Sequence, residues 1–205
     1  PVENVMGGPA QWNQGWKMLA GRSLDIERLE ITAVALGIAA VAILVVALGI
    51  WFAITAGKRK ETFAAQALES ARLVAEQGNL PEAVSQFEKV VTTYKGTSAA
   101  YSAALGVAQA RLVSGQTELA IASLTEFLKG NPPALYASPA HALLGTGYEN
   151  TGKPAEAAAA YRKAAETATS DYLKATALLD AGRAFRNAKN SDEAIKCYRE
   201  IIDKL

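Results

Sequence analysis

Any chemistry in this chain must come from a sparse set of side chains. There is one histidine, His141, and one cysteine, Cys197. A transition-metal site needs several His, Cys or carboxylate ligands that converge. A nucleophile needs a base within hydrogen-bond reach. Neither HExxH nor CxxC occurs, no P-loop is present, and no GxGxxG follows a strand pattern. Gly145, Thr146 and Gly147 lie within a helical pattern, which argues against a phosphate loop. His141 falls three residues before Leu144, on a packing face. Cys197 reads as a small buried helix residue, and a lone cysteine excludes an internal disulfide. Asp and Glu are scattered over polar faces, with no pair singled out. The expectation is therefore no catalytic residue, no metal and no cofactor.

The elements that hold these residues read as helical. Half of the residues are hydrophobic but only 7% are aromatic; the balance is alanine-rich, and alanine is the best helix former. Outside residues 31–56 no run of alternating β-branched residues suggests a strand. A net charge of +1 is too balanced for the clustered Lys and Arg of a nucleic-acid surface.

From Ile31 to Gly57 no residue is charged. About 20 apolar residues suffice to cross a bilayer, so residues 31–57 are expected to form one transmembrane helix. The run begins too far along the chain to match a signal peptide. Trp51 and Phe52 sit near its C-terminal end, where aromatic rings favour the headgroup layer. Arg28 bounds the other end, and Lys58, Arg59 and Lys60 follow directly. In the preceding arm, residues 1–30, Gly7, Gly8 and Pro9 make an irregular start. Trp12, Trp16 and Leu19 then fall at helical spacing, as in a short interfacial helix. Orientation by charge is nearly a tie: Lys17, Arg22 and Arg28 oppose Lys58, Arg59 and Lys60, and the adjacent Lys-Arg-Lys alone leans towards a cytoplasmic C-terminal part.

The rest of the chain repeats itself. GNLPEAVSQFEKVV at 78–91, GQTELAIASLTEFL at 115–128, GKPAEAAAAYRKAA at 152–165 and KNSDEAIKCYREII at 189–202 align without gaps. Their key alanines, Ala83, Ala120, Ala157 and Ala194, are 37 residues apart. Phe87, Leu124, Tyr161 and Tyr198 follow four residues later, and Val90, Phe127, Ala164 and Ile201 three further on. A small, a large and an apolar residue at that spacing make one helical stripe. Each such helix has another upstream. Leu144, Gly145 and Tyr148 precede Ala157, and Leu178, Gly182 and Phe185 precede Ala194. Ala108 precedes Ala120, with Arg111 where an aromatic would be usual. Ala71 and Val74 precede Ala83.

On these residues, 58–205 resembles four tetratricopeptide units, with hairpins near 61–95, 98–132, 135–169 and 172–205. The period is 37 where the family norm is about 34, so longer connections are expected. The fold class is all-α: a single transmembrane helix followed by an α-solenoid. Leu205 follows the last unit directly with no polar capping helix, so that end is expected to be covered by a partner or by self-association. The arm, span, KRKE junction and alanine-rich repeats together resemble the YfgM-type family of bacterial inner-membrane proteins, ancillary subunits of the SecYEG translocon. That resemblance implies a cytoplasmic N-terminus and periplasmic repeats near chaperones, the reverse of the charge-based lean.

Tetratricopeptide stacks bind along the groove lined by the first helix of each hairpin. Helical spacing places Leu68, Arg72, Leu105, Gln109, Ala142, Thr146, Leu179, Arg183 and Arg186 there. The repeated Lys, Arg and Asn of a carboxylate clamp are largely missing, so the groove suits an extended or helical segment with hydrophobic anchors. Partners are expected to be proteins and the lipid bilayer, not nucleic acid. Two roles follow: an adaptor in a translocon and chaperone network, or a scaffold subunit of a large membrane complex such as a secretion, respiratory or photosynthetic assembly.

Overall fold

The computed structural model describes residues 9–204, with side chains over residues 34–203. The side chains of Trp12, Trp16 and Arg28, and all of Leu205, lie outside the described residues. The described residues form eight helices and no strand. They are α1 (Pro9–Glu76), α2 (Leu80–Thr93), α3 (Ser98–Val113), α4 (Thr117–Lys129), α5 (Ala134–Asn150), α6 (Pro154–Glu166), α7 (Asp171–Asn187) and α8 (Ser191–Lys204). The chain divides into two units, Pro1–Gly57 and Lys58–Leu205, and α1 contributes to both.

In the first unit the large apolar side chains of residues 34–54, Trp51 and Phe52 among them, are exposed. Among the described residues this is the one helix long and apolar enough to cross a membrane.

In the second unit α1 from Lys58 onward pairs with α2, α3 with α4, α5 with α6, and α7 with α8. Local signals set the boundaries. Asn79, Thr97, Ser170 and Asn190 accept a hydrogen bond from the backbone N–H three residues on, which satisfies a helix N-terminus. Within each hairpin the turn needs one residue at positive φ: Gly78 (82°), Gly115 (79°), Gly152 (70°) and then Lys189 (62°). Glycine takes that conformation without a Cβ clash; the fourth hairpin puts a lysine there.

The repeated alanines are the close-approach points. Ala83, Ala120 and Ala157 are fully buried and Ala194 nearly so. In the last three hairpins a small residue on the first helix stands with the large one on the second, Ala108, Gly145 and Gly182, whereas the Phe87 ring of the first hairpin lies against Gly106 of α3. The pairing is size-matched. A Cβ on Gly145 would lie 2.7 Å from the Tyr161 ring, and one on Gly182 would also collide with Tyr198, whereas Leu124 accompanies Ala108. The core falls into three packed clusters, with Leu68, Phe87 and Val90 in the first, Leu124 and Leu144 in the middle one, and Tyr161, Leu178 and Cys197 in the last.

Candidate functional site

A groove of about 820 Å³ runs along the first helices of the first three hairpins. Arg72, Leu105 and Gln109, all expected there, line it beside Val113, Leu135 and Tyr136. Val113 and Leu135 are exposed, so the groove offers apolar anchors at one rim and a guanidinium at the other. Helix periodicity places them: Leu105, Gln109 and Val113 follow one another at four-residue spacing along α3.

The remaining expected residues do not join this groove. Leu68 is 7% exposed and packs in the core against Ala83, Phe87 and Ala103, because its turn of α1 faces α2 and α3. The Thr146 hydroxyl bonds the Ala142 carbonyl and shares a 3.2 Å hydrogen bond with the Tyr161 hydroxyl. Arg183 lies 3.1 Å from both Glu149 and Asp180. Leu179 and Arg186 are exposed.

These contacts build a polar cluster that the sequence did not reveal. The Tyr161 hydroxyl donates to Glu149 at 2.8 Å. Burial pushes the Tyr161 phenol up to about 12; the Thr146 hydrogen bond opposes this, and the Glu149 hydrogen bond and charge reinforce it. Burial also raises the Asp180 carboxyl, while Arg183 pulls it down and Glu149 raises it again. Arg183 is thus neutralised within the fold and is not a free cation for a ligand carboxylate. Tyr161 and Arg183 lie 12 and 34 residues from Glu149, and no local pattern signals such separations.

A second hollow, of about 650 Å³, lies on the other side of α3, between α2 and α4. Val91, Ala104, Val107 and Phe127 line it, with Tyr101. The Tyr101 ring stacks on Tyr136 at 5.0 Å and meets Phe127 edge-on at 6.1 Å. Arg111 and Glu88 form a 2.5 Å ion pair at its border. Arg111 in place of the usual aromatic was the sequence signal for this departure.

The chemistry-bearing residues have structural surroundings. His141 is half-buried, and burial, then Lys163, lowers its basicity while Glu166 opposes. Burial raises the Cys197 thiol, against the pull of Arg162, whose Nη1 lies 3.8 Å from the sulfur. Glu200 holds Arg162 at 2.8 Å and Lys174 at 3.0 Å. The Lys174 hydrogen bond does most to lower its carboxyl, burial opposes, and Arg162 adds to the lowering. No group of three or more His, Cys, Asp or Glu among the described residues is placed to hold a metal ion.

Residues 53–181 match the profile of the Tetratricopeptide repeat-like domain, and residues 176–204 that of the Tetratricopeptide repeat. No curated protein matches the sequence. Among solved structures, MamA is 21% identical, covers 69% of this chain and 77% of its own, and superposes with a TM-score of 0.55. MamA from Desulfovibrio magneticus RS-1 is 18% identical over 68% of this chain and 74% of its own, with a TM-score of 0.53. A Podosopora anserina protein with nearly identical TPR-like repeats is 17% identical over 69% and 74%, with a TM-score of 0.55. At such identities the likeness is one of fold.

Proposed function

Because the chain belongs to the tetratricopeptide repeat-like family, whose members serve as protein-interaction modules, we propose that it is a membrane-anchored adaptor that holds protein segments. The observation that carries this reading is the groove over α1, α3 and α5, with Leu105 and Gln109 on its floor and exposed Val113 and Leu135 at its edge. Such a surface suits an extended or helical segment with apolar anchors. Residues 31–57 serve as the membrane span, residues 1–30 as the preceding arm, and residues 58–205 as the binding domain. Trp51, Phe52, Lys58, Arg59 and Lys60 are all exposed and suit the headgroup layer.

The resemblance to YfgM-type proteins supports a finer role: an ancillary subunit of the SecYEG translocon in a bacterial inner membrane, with the N-terminus cytoplasmic and the repeats periplasmic. Two measurements test the proposal. The full chain should stay in the pellet when membranes are washed with alkaline carbonate; release would remove the anchor. Mild-detergent purification should recover translocon subunits, and Leu105→Glu should reduce that recovery about tenfold, the cost of one lost anchor. Stoichiometric recovery with one different membrane complex would assign the scaffold role instead.

A further inference from the structure

The hollow on the far side of α3 is not part of the proposed protein-binding groove, and its chemistry differs. Val91, Ala104, Val107, Tyr101 and Phe127 make the apolar part of its wall, with the hydroxyls of Thr92 and Ser123 beside them. Its acidic border residues are already neutralised. Glu88 is paired with Arg111, and Glu126 with Lys129 at 3.1 Å. The border that remains cationic is at the α2–α3 loop, where Lys95 and Gly96 line the hollow.

That loop is tied to the start of the repeat unit. The Lys60 ammonium donates to the Lys95 carbonyl at 2.8 Å, and Glu61 accepts from the Ser98 N–H at 3.0 Å. Lys60 is only three residues beyond Gly57, the end of the uncharged run. The loop end of the hollow therefore lies beside the Lys58–Lys60 cluster that suits lipid headgroups.

The repeat position of Ala104 is small in the first two hairpins, where it is Ala67 and Ala104. In the third and fourth hairpins the same position carries His141 and Leu178. A volume of about 650 Å³ falls within the about 300–1,000 Å³ of small-molecule sites. A slot with an apolar wall and a lysine at its mouth matches an acyl chain carrying an anionic head.

We propose that this hollow takes one acyl chain of an anionic phospholipid, with Lys95 at its mouth holding the phosphate. This rests on the membrane reading above. The test uses the full chain in mild detergent, exchanged with dioleoyl phosphatidylglycerol or dioleoyl phosphatidylcholine and weighed intact by native mass spectrometry. One phosphatidylglycerol per chain should survive activation that strips the rest, with phosphatidylcholine, whose choline cation repels the lysine that meets its phosphate, retained about tenfold less. Ala104→Leu should abolish the retained lipid with helicity unchanged, since Leu178 occupies the equivalent position in the same fold. Lys95→Glu, a surface change that spares the packing, should bring the two lipids to equal, low retention.

Equal retention of both lipids by the unsubstituted chain would overturn the proposal. So would a retained lipid that survives both Ala104→Leu and Lys95→Glu, because it then rides on the apolar helix. A co-purifying peptide in place of lipid would overturn it as well. Failure here with carbonate resistance intact would leave the anchor standing and remove only the lipid site.

Discussion

At the scale of single residues, size matching between a small residue on a first helix and a large one on the second is the sharpest rule of the last three hairpins. A Cβ at position 145 meets the Tyr161 ring at 2.7 Å. Gly145→Ala should lower stability by about 1–3 kcal/mol, as overpacking does, measured by chemical denaturation of the repeat unit. The second hairpin supplies the rescue, since it pairs Ala108 with Leu124. Gly145→Ala combined with Tyr161→Leu should lose less than the sum of the single changes, and strict additivity would show that the two positions do not meet. Lys189 is the converse case. Its φ of 62° is the conformation that glycines adopt in the other three turns. Lys189→Gly should therefore stabilise the last hairpin by about 1 kcal/mol, the usual cost of a left-handed non-glycine residue; a fall in melting temperature would contradict it. Spacing made these glycines and large residues legible, because they recur at the repeat period. The Tyr161, Glu149 and Arg183 cluster was not legible, because its members come from three helices at unrelated separations.

At the scale of helices, the second helices are more legible in the sequence than the first. A second helix shows a small, a large and an apolar residue on one stripe, with polar residues on the rest. A first helix such as α3 is buried around much of its girth, at Ala99, Ala100, Ala103, Val107, Ala108 and Ala110, so its sequence carries little periodic contrast. Leu68, expected in the groove, lies in the core instead, on the buried stripe that it shares with Ala64 and Ala71. Between helices, Glu200 of α8 ties Arg162 of α6 to Lys174 of α7. Its folded carboxyl is lowered, so its contribution is complete above the ordinary value of 4.5 and fades as pH falls through the lower folded value. Thermal unfolding of the repeat unit should become less stable on acidification in that range. Glu200→Gln should lose stability at neutral pH and flatten the acid limb; an unchanged acid limb would mean that other carboxylates carry it.

At the scale of the whole chain, the two units make different demands on their surroundings. The apolar side chains of the first are exposed, whereas the second buries its own core. A fragment of residues 58–205 should be a soluble, helical protein, while the full chain should need detergent; aggregation of the fragment, read by light scattering, would argue against independence. A stack of repeats also opens unit by unit rather than all at once, and the molecule holds its own gauge for this. Cys197 is the chain's single sulfhydryl, 1% exposed in the last hairpin, so an alkylating reagent reaches it only when α8 lifts away. Its rate of labelling is then a clock for the fraying of the terminal hairpin, readable in intact membranes without an engineered tag. A bound partner that braces the stack would slow that clock, and one that pries the last hairpin away would speed it up.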